Sequence, residues 1–304
     1  MSKRGEKMKK KVSITLAVIS VFVFFASPFA VGGHGKKSVD KTGILLVAFG
    51  TSVPRAQVAF DKIDSKVKET FPGVEVRWAY TSSMIRKKLA RKGRYLDSPT
   101  TAMAKMMDGG FTHVAVQSLH TIAGYEFNDL KRNVDLFAQM VDGFKKVRLG
   151  LPLLADDDDI KQVGAAMSQV VPTQRRIDEA VVWMGHGSHH PANAFYAALM
   201  YRLQTMDKNA FVGCVEGFPE IGHIRDQLIS RNIKRVYLMP FMSVAGDHAR
   251  NDMAGDDEDS WQSILTKAGI TCQPVLKGTA EYDVFIDIWI GHLKEAMAQL
   301  GAHP

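Results

Sequence analysis

Cysteine is scarce: the chain of 304 residues carries two, Cys214 and Cys272. Two cysteines so far apart build no disulfide framework. No CxxC or CxxCH motif occurs, which excludes a zinc ribbon, a thioredoxin-type redox pair and covalently attached haem. Both are read as small core residues at strand positions. Glycine-rich phosphate loops are missing too. No GxGxxG follows a candidate first strand, so a dinucleotide or other nucleotide cofactor is not expected. There is no GxSxG nucleophile elbow. The acidic runs Asp156–Asp159 and Asp256–Asp259 lack the central glycine and closing glutamate of an EF-hand. They are read as helix N-termini, where the macrodipole favours negative charge. Long apolar runs are equally few, and only Val12–Phe25 approaches the lower limit of a membrane span.

What the N-terminus does have is a secretory pattern. A basic stretch, "MSKRGEKMKKK", precedes that short apolar run, and small residues follow in "ASPFAVGG". Residues 1–32 are therefore read as a signal peptide cleaved between Ala30 and Gly33, leaving no membrane anchor and a periplasmic mature protein. The formal net charge is +7, but residues 1–30 hold six Lys or Arg and one Glu, a surplus of +5. About +2 remains, so the basic balance belongs to the export segment and gives no support for a nucleic-acid partner.

From residue 42 onward, strand and helix patterns alternate. "GILLVAFG" (43–50) is an unbroken apolar run, as expected of a parallel strand covered on both faces. The order then repeats. "AVVWMGHGS" mirrors "LLVAFGTS", "AFVGCVEGFPEIGHIRDQL" mirrors "VEVRWAYTSSMIRKKL", and "RVYLMPFMSVAGDHARND" mirrors "HVAVQSLHTIAGYEFND". The fold class is α/β: two similar Rossmann-like domains, each with a mainly parallel sheet of about four strands flanked by helices; if their order is 2-1-3-4, strands 1 and 3 flank the point where the order reverses. The N-terminal domain spans 42–155, a connecting helix 156–177, the C-terminal domain 178–280, and a last helix 281–304.

Duplication helps to locate function. Features shared by both halves maintain the fold, and features of one half are candidates for chemistry. Phe49-Gly50-Thr51 corresponds to His186-Gly187-Ser188, Tyr80-Thr81-Ser82 to Val215-Glu216-Gly217, and Gly124-Tyr125-Glu126 to Gly246-Asp247-His248. The second half has gained His186, Glu216 and His248 at strand ends, the rim where open α/β sheets bind ligands. Two neutral imidazoles and a carboxylate suit a divalent first-row metal with open positions. His120 ends the third strand of the first half and could face the same cleft. His189 and His190 stand beside it or start a helix. His34, His113, His223, His292 and His303 are read as surface or core residues. His248 is expected where the third strand of the second half stops at Gly246.

The stretches "VAFGTS", "QSLHTIAGYE", "MGHGSHH", "VEGFPE" and "LMPFMSVAGDHARNDMAGDDEDSW" resemble the anaerobic cobalt chelatases of cobalamin biosynthesis, within the class II chelatases. The resemblance covers about residues 42–300. It implies two Rossmann-like domains with the active cleft between them, and insertion of Co²⁺, with Fe²⁺ as a second candidate, into sirohydrochlorin without ATP. It also implies active-site roles for His186 and His248 and an acidic metal-binding role for Glu216. Sirohydrochlorin is a polycarboxylate, so a cationic cleft is expected from Arg55, Arg86 and Arg250, with His120 and Ser188 as further substrate contacts; Lys87 and Lys88 read as a solvated helix face. Homo-oligomerisation is compatible with the sequence. Family members are typically cytoplasmic, so the export signal keeps an alternative open: a periplasmic carrier of tetrapyrrole or metal on the same fold.

Overall fold

Unbroken apolar runs become parallel strands here because helices cover both of their faces. The computed structural model describes residues 40–301, so the signal segment, His34 and His303 lie outside the described residues. The first half runs β1 (Thr42–Ala48), α1 (Gln57–Thr70), β2 (Glu75–Tyr80), α2 (Ser83–Ala90), α3 (Pro99–Asp108), β3 (His113–Ser118), α4 (Tyr125–Phe137) and β4 (Lys146–Gly150). α5 (Asp157–Gln169) leads into β5 (Ala180–Gly187), α6 (Ala194–Met206), β6 (Ala210–Glu216), α7 (Ile221–Ser230) and β7 (Arg235–Phe241). Next come α8 (Trp261–Lys267), β8 (Thr271–Pro274) and α9 (Asp283–Leu300). The strand orders are β2-β1-β3-β4 and β6-β5-β7-β8, each fully parallel. Ile44 to Ala48 and Ala180 to Val182 are wholly buried, which explains why these strands read as continuous rather than alternating apolar segments. Among the described residues no helix is long and apolar enough to cross a membrane.

Two boundaries differ from expectation. β7 stops at Phe241, five residues before Gly246. Its pairing with β5 ends at Gly185↔Phe241, and the Met242 and Ser243 carbonyls instead accept from the Thr279 and Ala280 N–H groups. A strand whose neighbours have run out becomes a loop held by other donors. The run Asp256–Asp259 lies in turns before α8, whose cap is Ser260, with its side chain accepting from Ser263 N. Asp156 does cap α5, accepting from Asp159 N.

α9 does not stay with the second sheet. It packs on β3 and β4 of the first and touches α5, while α5 also packs on α6. The largest apolar core therefore holds residues of both sheets, among them Ile44, Phe60, Trp183, Met239, Phe285 and Trp289. Burying side chains such as Phe285 and Leu293 is worth about 1.5–3 kcal/mol each. The two lobes are thus tied together, which fixes the cleft between them.

One buried polar clamp completes this tie. His292 on α9 places Nε2 3.0 Å from Asp159 Oδ1 and Nδ1 3.2 Å from the Leu151 carbonyl. Asp159 Oδ2 also accepts from Ala155 N at 2.8 Å. A carboxylate and a carbonyl only accept, so the ring donates from both nitrogens and is an imidazolium. Burial pushes the His292 pKa down, but the hydrogen bond and charge of Asp159, with help from Glu295 and the Leu151 carbonyl, raise it above the ordinary 6.5. A raised folded pKa stabilises the fold fully below the ordinary value and progressively less as pH rises through the folded one. His292→Gln is therefore expected to cost about 3 kcal/mol in urea unfolding at pH 6 and less at pH 9. Equal losses at the two pH values would contradict the charged clamp.

Candidate active site

Beyond the carboxyl ends of β1, β3, β5 and β7 the two lobes enclose a cavity of about 580 Å³. A larger open basin, about 1330 Å³, lies at the amino ends of the second sheet's strands, and among the described residues no histidine or cysteine lines it. Chemistry points to the smaller one, since it gathers His120, Glu126, His186, Glu216 and His248.

Two glycines shape its floor. Gly50 (φ +104°) and Gly187 (φ +80°) occupy equivalent positions just past the buried parts of β1 and β5. A Cβ on Gly187 would lie 1.6 Å from the Glu216 carbonyl oxygen, and one on Gly50 would meet the Tyr80 ring at 2.5 Å. No other residue permits this close approach with left-handed backbone. The turn leaves Phe49 in one lobe and His186 in the other at the cavity wall.

The imidazoles of His186 and His248 meet edge to face, with ring centroids 4.7 Å apart and planes at 89°. His186 Nδ1 lies 3.1 Å from the Gly187 carbonyl oxygen. His248 Nδ1 is hydrogen-bonded to the Asp252 carboxylate. Both partners are acceptors, so both rings carry a proton on Nδ1, and in the neutral form each keeps its lone pair on Nε2. His248 begins a π-helical turn, Ala249–Met253.

Glu216 ends β6, is exposed, and lines the same cavity. The expected three-group cluster is nevertheless not closed: among the described residues no three His, Cys, Asp or Glu side chains gather closely enough to hold a metal ion together. The carboxylate stands off because it belongs to an edge strand, one strand outward from His186. Ser188 also lines the cavity; its N–H donates to Asn193 Oδ1 and its Oγ accepts from His190 N. His190 reaches across to the first lobe, with Nε2 2.9 Å from the Asn128 side-chain amide and its ring edge-on to Tyr125.

The first lobe contributes His120 and Glu126. His120 Nδ1 lies 2.8 Å from Ser118 Oγ, and its Nε2 is 3.1 Å from Glu126 Oε2, near enough for a charge contact though poorly aligned as a hydrogen bond. The Thr81 hydroxyl donates to the same carboxylate oxygen at 3.3 Å. Glu126 had no role in the sequence reading. Its signal was its register: it is the counterpart of His248 in the repeated Gly-x-x segment.

The expectation of a cationic cleft is corrected. Among the described residues no Lys or Arg lines the cavity. Arg55 is exposed on the turn Pro54–Ala56. Arg86 follows Met84 and Ile85, which do reach the cavity, and Arg250 lies two residues past His248; neither is among the lining residues, and the Nε atom of each is buried. The wall is instead apolar (Phe49, Met84, Ile85, Val244) with the hydroxyls of Thr51, Ser52, Ser82 and Ser243. Cys214 is free and buried, its thiol pushed up to about 12 by burial, and Cys272, half-buried, up to about 11. At neutral pH neither offers a thiolate to a metal.

Fold and site together define a two-lobed α/β protein whose cleft presents paired imidazoles to a ligand. Among solved structures, SirB from Bacillus subtilis with Fe³⁺ shares this fold, with a TM-score of 0.56 at 16% identity over 86% of this chain and 98% of that one. The model of the family described as cobalt chelatase (CbiK) matches residues 42–298, and the chain belongs to that family. It is 44% identical over 262 residues to the sirohydrochlorin cobaltochelatase CbiKC of Nitratidesulfovibrio vulgaris (strain Hildenborough), covering 86% of this chain and 93% of the relative. It is 38% identical over 259 residues to the sirohydrochlorin cobaltochelatase of Salmonella typhimurium (strain LT2), covering 84% and 97%.

Proposed function

We propose that this protein is a sirohydrochlorin cobaltochelatase that inserts Co²⁺ into the macrocycle without a nucleotide and also accepts Fe²⁺. The observation that carries the reading is the pair of Nε2 lone pairs, His186 and His248, in one cavity with both Nδ1 atoms already engaged. Family membership and the names of the two relatives support the substrate and metal.

The overall reaction exchanges one divalent ion for two protons: sirohydrochlorin loses two pyrrole N–H protons as Co²⁺ enters. In this reading the ion arrives as a substrate on His186 and His248, and Glu216 turns inward to join them. An incompletely closed set of ligands suits an ion that must leave. The apolar wall takes the flat face of the macrocycle, and the hydroxyls of Thr51, Ser52, Ser82, Ser188 and Ser243 meet its carboxylates. As the ion passes to the pyrrole nitrogens, the vacated imidazoles can take protons. Glu126, held by Thr81 and close to His120, is a further acceptor on the opposite wall.

Absorbance spectroscopy of sirohydrochlorin with Co²⁺ tests this. The protein should accelerate the spectral change over the spontaneous rate, and His186→Ala or His248→Ala should remove at least ~100-fold of that acceleration. Equal rates with and without the protein would favour a carrier.

We also propose export to the periplasm, supported by the basic-then-apolar pattern of residues 1–32. Cell fractionation with N-terminal sequencing should find a periplasmic form starting near Ala30–Gly33. A cytoplasmic form retaining Met1 would contradict export.

A further inference from the structure

We infer that Asp252 is a positioning residue for His248, brought beneath it by a single extra residue that the second lobe carries and the first does not. In the first lobe Asn128-Asp129 lies four and five residues past Gly124; in the second, Asn251-Asp252 lies five and six past Gly246. The first lobe continues as regular α4 from Tyr125. The second forms the π-helical turn Ala249–Met253, the local shape that one inserted residue gives a helix. The consequence is a change of spacing. Asp129 is three residues from Glu126 and, among the described residues, makes only a long ion contact with Arg132, at 3.9 Å. Asp252 is four residues from His248 and hydrogen-bonds its Nδ1.

This spacing decides the tautomer. A carboxylate cannot donate, so Nδ1 must carry hydrogen and, in the neutral ring, the Nε2 lone pair is left for the cavity. A histidine without such a partner favours hydrogen on Nε2, which would block that lone pair. Among the described residues His248 is the sole hydrogen-bond partner found for the Asp252 side chain, and both side chains are about two-fifths exposed, at 41% and 45%. The pair therefore adds little to the core, and its effect falls on orientation. The arrangement is that of a carboxylate behind a metal-binding imidazole, whose loss typically costs 10–100-fold in metal affinity. The functional part of the inference rests on the proposal that His248 offers Nε2 to the ion; the tautomer itself does not.

The test is ¹⁵N NMR of histidine-labelled, metal-free protein, followed by Co²⁺ titration. Wild type should show His248 protonated on Nδ1. Asp252→Leu, similar in size but unable to accept, and Asp252→Ala should both move the proton to Nε2 and weaken Co²⁺ binding by about 10–100-fold. Asp252→Asn, whose amide oxygen still accepts, should retain more of the Nδ1–H form and more of the affinity than Asp252→Leu. Should the alanine variant fail to fold, the leucine and asparagine pair still decides the matter. An unchanged tautomer and affinity in Asp252→Leu would overturn the inference. If the tautomer shifts as expected while wild type gives no acceleration of chelation, positioning stands and the chelatase reading falls.

Discussion

Two hydrogen bonds behind two rings determine what this cleft can do. A histidine can bind a metal only through a nitrogen that carries no proton, and a neutral imidazole has one such nitrogen. In His186 and His248 the Nδ1 atoms face a carbonyl and a carboxylate, so the free lone pair is left on Nε2 in both. Much of the nearby structure serves that arrangement. Gly187 takes left-handed backbone so that β5 can turn tightly against the Glu216 carbonyl and leave its own carbonyl behind the His186 ring. The turn after β7 holds Asp252 behind the second ring. The shared core, closed by α9, keeps the first lobe's wall opposite.

Duplication has produced a division of labour between two similar halves. Both keep the glycine turn after the first strand, because the backbone requires it. Residues at the strand exits have diverged: Phe49 corresponds to His186 after the first strand, and Glu126 to His248 after the third. The first half supplies most of the apolar wall together with His120 and Glu126; the second supplies the close imidazole pair and Glu216. An ion offered from one wall and a proton acceptor on the opposite wall is what an exchange of Co²⁺ for two protons across a flat macrocycle calls for.

Much of this was legible in the sequence. Strand identity followed from apolar runs separated by helical patterns, since sheets covered on both faces leave that signature; the lateral order was a supposition that the pairing bears out. The convergence of His186, Glu216 and His248 on one cavity followed from their places at or beyond the carboxyl ends of strands. Other features depend on contacts that no local pattern encodes. The end of β7 is set by where β5 and β8 stop pairing and by donors from residues 279–280. The return of α9 to the first sheet and the pairing of His292 with Asp159, 133 residues away, are matters of tertiary packing. Arg86 and Arg250 are chain neighbours of cavity-lining residues, but closeness along the chain does not put a side chain in the lining. The π-helical turn was present in the alignment of the halves as one extra residue, and only its geometry showed what the extra residue does.

The central claim is that one Co²⁺ ion sits between the two free Nε2 atoms. Anomalous diffraction at the cobalt edge, from crystals soaked in a stoichiometric amount of Co²⁺, addresses it directly. A single strong peak within bonding distance of both His186 Nε2 and His248 Nε2 is the expected result. Cobalt bound elsewhere, for instance on the exposed run Asp256–Asp259, with no density between the two rings, would contradict it.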